Sequence, residues 1–434
     1  MELSFKEKYG QVDTPKDLVT KMLDMLPDNF YTDEGKKWLD PGCGTGIFAE
    51  NIVNRLELGL QKSRSEVIEK NIYMVEYNSY HIAGLKEKFG ETMNFTEQDY
   101  LIYTPSCKFD VIIGNPPYNQ NHLKNIPQRR ESVIQTDELK WVAIWQAFIR
   151  KSLELLKQNG YLCFIVPANW LKPDKERIYE SILQYKLHKL ECYSSYEVYK
   201  MFDKKAQIPC TIFLLQKTPT DNIIPIYDEL NKSYIDYHLF SPTCPIPMKH
   251  ISMITKLLHY TKKYGSIANY IIQTPIPSRK LKFSDEYSFE YPYINIYSCC
   301  LKENKPNYSY KWSDNPGPFY YPGLPKIILA HSVHGIPLMD SDGSFGICNR
   351  NKYIILGKES LLEILYKYLS CKFIMYLYNA TQYRMRFLEK YIFELIPDIS
   401  RIPGFNIDNI TDEYLCDFFR YNAYERNIIE EYII

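Results

Sequence analysis

The chain has 434 residues, 45% of them hydrophobic and 24% charged, values of a soluble globular protein of two or three domains. Formal net charge is zero, so no general basic bias marks a nucleic-acid binder, and any such surface must be local. No apolar run is long enough to span a membrane, and Met1–Lys6 lacks the apolar core of a signal peptide. The 11 cysteines form no Cys-x-x-Cys pairs and only Cys299 and Cys300 adjoin, so free thiols in a reducing compartment are expected and no zinc or other metal site. The expected location is the cytoplasm, of a bacterium or of a host cell carrying a virus. The 39 tyrosines fit either an A/T-rich genome or a stacking surface, and composition does not choose.

In chain order, Thr14 is a candidate N-cap with Pro15 at the first helical position and Asp17 in the first turn. Leu18, Val19, Met22, Leu23 and Leu26 then form a helical apolar stripe. A short strand ends at Asp40, followed by the turn Pro41-Gly42-Cys43-Gly44-Thr45-Gly46 and a helix over 47–58 that begins Ile47-Phe48. Glycines let a ligand approach the backbone, and the helix start offers free N–H groups. The spacing is not Gly-x-Gly-x-x-Gly, which argues against a nicotinamide dinucleotide. The strand 71–76 ends in Glu76, placed to accept from two ribose hydroxyls or simply to be solvated. Asn94–Glu97 then leads to Asp99-Tyr100.

Phe109–Ile113 predicts a strand buried on both faces, running into Gly114-Asn115-Pro116-Pro117-Tyr118. Two prolines fix φ and remove two N–H donors, leaving an amide side chain, bare carbonyls and an aromatic face. Such a turn suits a flat group that donates hydrogens, as an amine on a heterocycle does. The polar stretch 119–130 carries Lys124, Arg129 and Arg130, either phosphate contacts or a solvated loop. Leu139–Leu156 predicts one long amphipathic helix, and Tyr161–Val166 a buried strand. Leu190–Tyr193 and Ile208–Leu215 predict a final strand pair around a polar loop holding Phe202, Lys204 and Lys205. Phe202 is either a core anchor or a surface that meets a ligand.

This alternation predicts an α/β fold, a doubly wound, mostly parallel sheet over 1–217 with its functional turns at strand C-termini. Beyond Lys217, prolines and short Tyr-rich runs take over, predicting a mixed α+β domain over 218–397 and a helical segment over 398–434. Glu359–Tyr378, Gln382–Leu395 and the chain from Asn406 are expected to be helical. Arg279, Lys280, Arg384 and Arg386 are its clustered basic residues, either solvated or binding.

Taken in order, these motifs resemble the gamma arrangement of DNA amino methyltransferases of the restriction–modification type, with their Asn-Pro-Pro-Tyr turn. The resemblance covers about half the chain and departs from the family at Asp13, where an aromatic is more usual. It implies a Rossmann-like methyltransferase sheet, S-adenosyl-L-methionine as cofactor and double-stranded DNA as partner, with a separately encoded restriction endonuclease as a further one. It implies that the Thr14 segment lies at the cofactor's methionine end. Asp40, Pro41, Gly42, Gly44, Gly46 and Phe48 would form the cofactor loop, and Glu76 would hold the ribose. Asp99 would accept from the cofactor adenine amine and Tyr100 would cover its ring. Asn115 and the Pro116 carbonyl would accept from a target adenine amine, with Pro117 stiffening the turn and Tyr118 stacking on the base. Phe202 would touch the extruded base, with Lys204, Lys205, Arg129 and Arg130 near phosphates. The C-terminal region, with Arg279, Lys280, Arg384 and Arg386, would read the DNA site. The alternatives are the same amino-methylation on RNA or on a protein glutamine, or a catalytically silent DNA-binding module.

Overall fold

The computed structural model describes residues 12–118, 125–129, 139–274, 280–302, 305–316, 323–330, 336–347, 352–384 and 388–432. The chain divides into two compact units, one running to Tyr227 and including Tyr234–Pro242, the other made of Asp228–Ser233 and the chain from Thr243 onward.

The first unit is built on one sheet. Its strands are β1 (Trp38–Pro41), β2 (Ile72–Glu76), β3 (Asn94–Glu97), β4 (Phe109–Gly114), β7 (Leu156–Pro167), β8 (Tyr185–Tyr193), β9 (Cys210–Pro219), β10 (Ile223–Asp228) and β11 (Ser233–His238); β5 (Asn125–Arg129) and β6 (Leu139–Ala143) form a separate antiparallel pair. The strand order is β11-β10-β8-β9-β7-β4-β1-β2-β3. The run from β3 to β7 is parallel, whereas β9 is antiparallel to both β7 and β8. The order reverses between β1 and β4, so the turns after those strands open onto one crevice, where open α/β sheets take ligands.

Burial explains the central strands. Phe109, Val111, Ile112 and Ile113 of β4 are all fully buried, as a strand covered on both faces requires. The stripe Leu18, Val19, Met22 and Leu23 of the helix Lys16–Asp24 packs into the same core as Phe48, Ile52 and Leu56 of the helix Ile47–Leu60. In that helix–sheet layer Glu191 is buried, yet it accepts from Tyr193 Oη (2.5 Å) and Tyr234 Oη (2.7 Å) and pairs with Lys21 (2.5 Å).

Three expectations change. The stretch expected to be one helix over 139–156 is β6 followed by the helix Ile144–Leu155. The polar loop before β9 contains a helix, Ser195–Met201, held by a capping box between Ser194 and Glu197. The first unit also does not stop at Lys217, because β9 continues to Pro219 and β10 pairs in parallel with β8.

The second unit contains β12 (Ile271–Gln273), β13 (Phe283–Ser284), β14 (Tyr293–Lys302), β15 (Lys305–Ser313), β16 (Lys326–Ala330), β17 (Leu338–Asp340), β18 (Gly346–Ile347) and β19 (Lys352–Leu356), arranged in two four-stranded sheets. Ile296, Ile328, Ile347 and Ile354 form a small core shared by both sheets. Helices Ile251–Tyr264, Glu359–Leu369 and Lys372–Leu377 complete it. The stretch 382–395 expected as helix has only a short 3-10 turn, Lys390–Glu394, among its described residues, and the chain from Asn406 holds two helices, Asp412–Phe418 and Ala423–Glu430. Residues after 398 are not a separate segment: Tyr421 Oη donates to Met253 O (2.9 Å), and the rings of Phe373 and Phe419 stack with centroids 5.7 Å apart. Among the described residues, no helix is long and apolar enough to cross a membrane.

Candidate active site

The turn after β1 is tied to β2. Gly42 N and Cys43 N both donate to Val75 O, at 2.8 and 3.0 Å. Gly46 then starts the helix Ile47–Leu60 with φ +77°, and an added Cβ there would lie 2.7 Å from Phe89 and 2.9 Å from Leu85. Only glycine meets both demands. Beneath the turn, Asp40 is buried and its Oδ2 accepts from Ala49 N (3.3 Å). Burial pushes its carboxyl up to about 8, opposed by the Ala49 amide and reinforced by the charge of Glu76.

Glu76 closes the end of β2. Its Oε2 accepts from Gly44 N and its Oε1 from Asn78 N, both at 2.7 Å. The carboxylate therefore fixes the glycine turn, while each oxygen keeps a lone pair for a further donor. After β3, Asp99 Oδ1 accepts from Leu101 N (2.9 Å) and caps the turn Tyr100–Ile102. Tyr100 is buried, its hydroxyl 2.9 Å from Ser152 Oγ and its ring 4.8 Å from that of Phe148. Burial raises its phenol pKa, and the two rings make one apolar wall.

The turn after β4 faces the helix Lys16–Asp24. Asn115 Nδ2 donates to Thr14 Oγ1 at 3.2 Å, across 101 residues of sequence. Thr14 is not the helix N-cap; Pro15 occupies that position, so the threonine hydroxyl is available to Asn115. Tyr118 is half-buried, with its hydroxyl 3.4 Å from Cys210 Sγ and 3.5 Å from Ile165 O. Burial raises both its pKa and that of the Cys210 thiol, so both stay neutral. Phe202 belongs to the apolar core and to the cavity wall at once. Directly after it, Asp203 (φ +47°) and Lys204 (φ +65°) are both left-handed, an uncommon pair for non-glycine residues and a place where strain is held at a site's rim.

These side chains line one cavity of about 450 Å3. Thr14, Gly42, Gly44, Phe48, Glu76, Asp99, Tyr100, Asn115, Pro116, Pro117, Tyr118, Phe202, Lys204 and Lys205 all reach it. Asp40, Pro41 and Gly46 do not line it and act from behind the turn. Tyr77, His81, Gln98, Phe148 and Cys210 line it too and were missed in the sequence. Tyr77 follows Glu76 at a strand end and was findable; Phe148 lies inside a helix and Cys210 opens a strand, so neither carries a local signal. Arg130, Arg279 and Arg386 lie outside the described residues, and Arg129 ends β5. Lys280 is exposed in the second unit. Arg384 is partly committed within its own unit, its Nε 3.6 Å from the buried Glu389.

The sheet order, the antiparallel β9 and the strand-end cavity define a Rossmann-like methyltransferase fold. Residues 47–202 match the family model described as Eco57I restriction-modification methylase. The cofactor of this fold and domain is S-adenosyl-L-methionine. The cavity fits it: amides and carboxylates at Gly44, Glu76 and Asp99 suit a nucleoside, and Tyr100 with Phe148 gives an aromatic wall.

Over 188 residues the chain is 28% identical to the Type II methyltransferase M.AccI of Acinetobacter calcoaceticus, covering 42% of this chain and 32% of that protein. Over 183 residues it is 26% identical to the Type II methyltransferase M.TthHB8I of Thermus thermophilus, covering 40% of this chain and 38% of the other. It is also 26% identical over 215 residues to a tRNA1(Val) (adenine(37)-N6)-methyltransferase of a Flavobacteriaceae bacterium, covering 48% of this chain and 85% of that enzyme. The chain thus spans about a third of the length of the Type II relatives it matches.

Proposed function

We propose that the protein is a site-specific DNA adenine methyltransferase that methylates the exocyclic N6 amine of an adenine turned out of the duplex. The observation that carries this reading is the pairing of Asn115 with Thr14. It engages the amide nitrogen of Asn115 and leaves Oδ1 as an acceptor on a residue that lines the cavity together with Pro116.

An adenine amine is conjugated with its ring and is a weak nucleophile. Two acceptors holding its hydrogens out of the ring plane return the lone pair to nitrogen. S-adenosyl-L-methionine, when bound, supplies an electrophilic methyl on a sulfonium. Glu76 and Asp99 would hold its ribose and adenine, and the glycine turn would lie against it. Tyr118 and Phe202 would receive the base, whose extrusion costs a few kcal/mol of unstacking, roughly. Lys204 and Lys205 at the rim suit the flanking phosphates. Nitrogen attacks first and loses its proton afterwards, so no strong base is required of the cavity. A restriction endonuclease cutting the same site would be the matching partner.

The same chemistry on RNA is the second reading, supported by the similarity to the tRNA adenine methyltransferase. The DNA reading is preferred because that relative is matched over 85% of its own length by 48% of this chain, leaving a whole further unit for reading a site.

The test is methyl transfer from tritiated S-adenosyl-L-methionine to plasmid DNA and to bulk tRNA, followed by mapping of the modified position. Label at adenine N6 within one recurring DNA sequence, lost in Asn115→Ala while cofactor binding persists, is expected. Label confined to tRNA would replace the DNA reading, and near wild-type transfer by Asn115→Ala would remove Asn115 from the chemistry.

A further inference from the structure

The Tyr118 hydroxyl is turned toward β7 and the start of β9, with Cys210 Sγ 3.4 Å away and Ile165 O 3.5 Å away. An O–H···O bond normally spans about 2.5–3.0 Å, so the carbonyl is too far for a good one. Sulfur is the larger atom, and 3.4 Å suits a bond to it. The direction of that bond follows from the thiol proton. Cys210 Sγ–H donates to Ile208 O at 3.0 Å, and a thiol has one hydrogen. Burial keeps both the thiol and the phenol neutral, so neither proton is lost. Tyr118 Oη–H is therefore the donor and sulfur the acceptor, in a short chain from Tyr118 through Cys210 to the Ile208 carbonyl.

Cys210 is a fixed end for that chain. It opens β9 opposite Pro167 of β7 on one side and Tyr193 of β8 on the other. Its neighbours are tied as well: Ala168 N donates to Pro209 O (2.8 Å), and Trp170 Nε1 donates to Thr211 Oγ1 (2.7 Å). The turn leading to Tyr118 is stiff but poor in backbone donors, because Pro116 and Pro117 have no N–H. The side chain is what joins Tyr118 to the sheet. Its ring packs against the core cluster that holds Phe202 and Cys210. Tyr118, Phe202, Ile208 and Cys210 all line the one cavity.

We propose that Cys210 is a positioning residue that holds the Tyr118 ring, through the Tyr118 hydroxyl, as a preset wall for the target base and ties it to the segment 202–208 lining the same cavity. The inference rests on the base placement given above and adds the reason for a tyrosine where a phenylalanine would stack equally well. The ring meets the base, and the hydroxyl meets sulfur. A ring already held in place loses less freedom when the base arrives, so the tie favours binding without touching the substrate.

The test is a double-mutant cycle on duplex binding. A duplex carrying the mapped site with 2-aminopurine at the methylated position is titrated with full-length protein and saturating S-adenosylhomocysteine. Both the Kd and the change in fluorescence are read. Tyr118→Phe and Cys210→Ala are each expected to weaken binding about three- to tenfold, and the double variant no more than either alone, since groups in contact couple on this scale and both changes cut one link. Cys210→Ser, which keeps a donor and an acceptor, should recover most of the affinity. Wild-type affinity and fluorescence in Tyr118→Phe overturn the proposal. That variant removes a single oxygen and needs no change at Cys210, so a misfolded Cys210→Ala leaves the proposal open to refutation. A loss on Cys210→Ala that is as large in the Tyr118→Phe background as in the wild type also overturns it, because the cysteine would then serve the core alone. Tyr118→Ala separates this tie from the placement of the base, and it should lose more affinity than Tyr118→Phe. Wild-type affinity in Tyr118→Ala, or no fluorescence change with the wild type, would overturn the base placement and the inference with it.

Discussion

A carboxylate buried without a cation is costly when charged, and Asp40 is one. Its folded pKa of about 8 lies above the ordinary value, so between roughly pH 4 and 8 the folded chain holds a proton that the unfolded chain has released. Stability contributed by this group therefore falls as pH rises through that window. Asp40→Asn keeps an acceptor for Ala49 N and cannot titrate. Its melting temperature should drop less between pH 6 and 8 than that of the wild type, and parallel curves would show that Asp40 is charged in the fold. Glu76 is the opposite case, a carboxylate satisfied by two backbone amides. Glu76→Ala should weaken cofactor binding by about tenfold or more, since charge-assisted hydrogen bonds contribute roughly 1.5–3 kcal/mol each and the glycine turn loses its anchor as well. Unchanged affinity by calorimetry would place the nucleoside elsewhere. At this scale the sequence pointed to residues that line the cavity where a residue type and a strand end coincide, as at Glu76, Asp99 and Asn115. It was silent on the pairing of Thr14 with Asn115, which lie 101 residues apart, and it could not reveal that the Tyr118 hydroxyl turns toward Cys210.

The glycine turn shows how an element divides its duties. Gly46 has φ +77° and no room for a Cβ, which would press on the buried Phe89 and Leu85. Gly44 has φ +55°, and a Cβ there would enter open space at a residue lining the cavity. Left-handed backbone costs a residue with a Cβ about 1–2 kcal/mol, and overpacking adds about 1–3 kcal/mol. Gly46→Ala should thus lower the melting temperature clearly more than Gly44→Ala, while Gly44→Ala should lose more cofactor affinity per degree lost. Equal effects of the two variants on melting and on calorimetric affinity would mean that the turn acts as one unit. Elements with a strong period and clear punctuation were legible, among them the strand before Asp40 and the helix after Gly46. Two were misread for identifiable reasons. Leu139–Ala143 shares apolar residues with the following helix, so one period ran over both, although the first part pairs with Asn125–Arg129. The helix Ser195–Met201 has only seven residues, too few to show a period, and its Ser-x-x-Glu cap was the one available signal.

At the scale of the whole molecule, the question is where the methyltransferase unit ends. The change in texture after Lys217 located a second unit but set the border too early, because β10 and β11 are short and rich in Ile and Tyr, like the strands beyond them. They nevertheless belong to the nine-stranded sheet. Ile224, Ile226 and Tyr237 are buried, and Tyr234 supplies a donor to the buried Glu191. A fragment ending at 217 would strip this cover from β8 and leave Glu191 short of a partner, an error that typically costs roughly 1–3 kcal/mol or more for a charged group. A fragment ending at 242 keeps both. The 1–242 fragment should melt cooperatively and bind S-adenosyl-L-methionine within a few-fold of the full chain, whereas 1–217 should melt lower or aggregate. Site choice should not survive in either. A cavity of this size admits one nucleotide, whereas a recognition sequence needs side chains reaching several base edges. Those side chains are expected from the second unit, with Lys280 and Arg384 among its described cations. Sequencing of methylated positions after incubation with the 1–242 fragment should therefore show weak modification without the preference of the full chain. If the fragment reproduces that preference, recognition is built into the methyltransferase unit itself, and the second unit must serve another purpose.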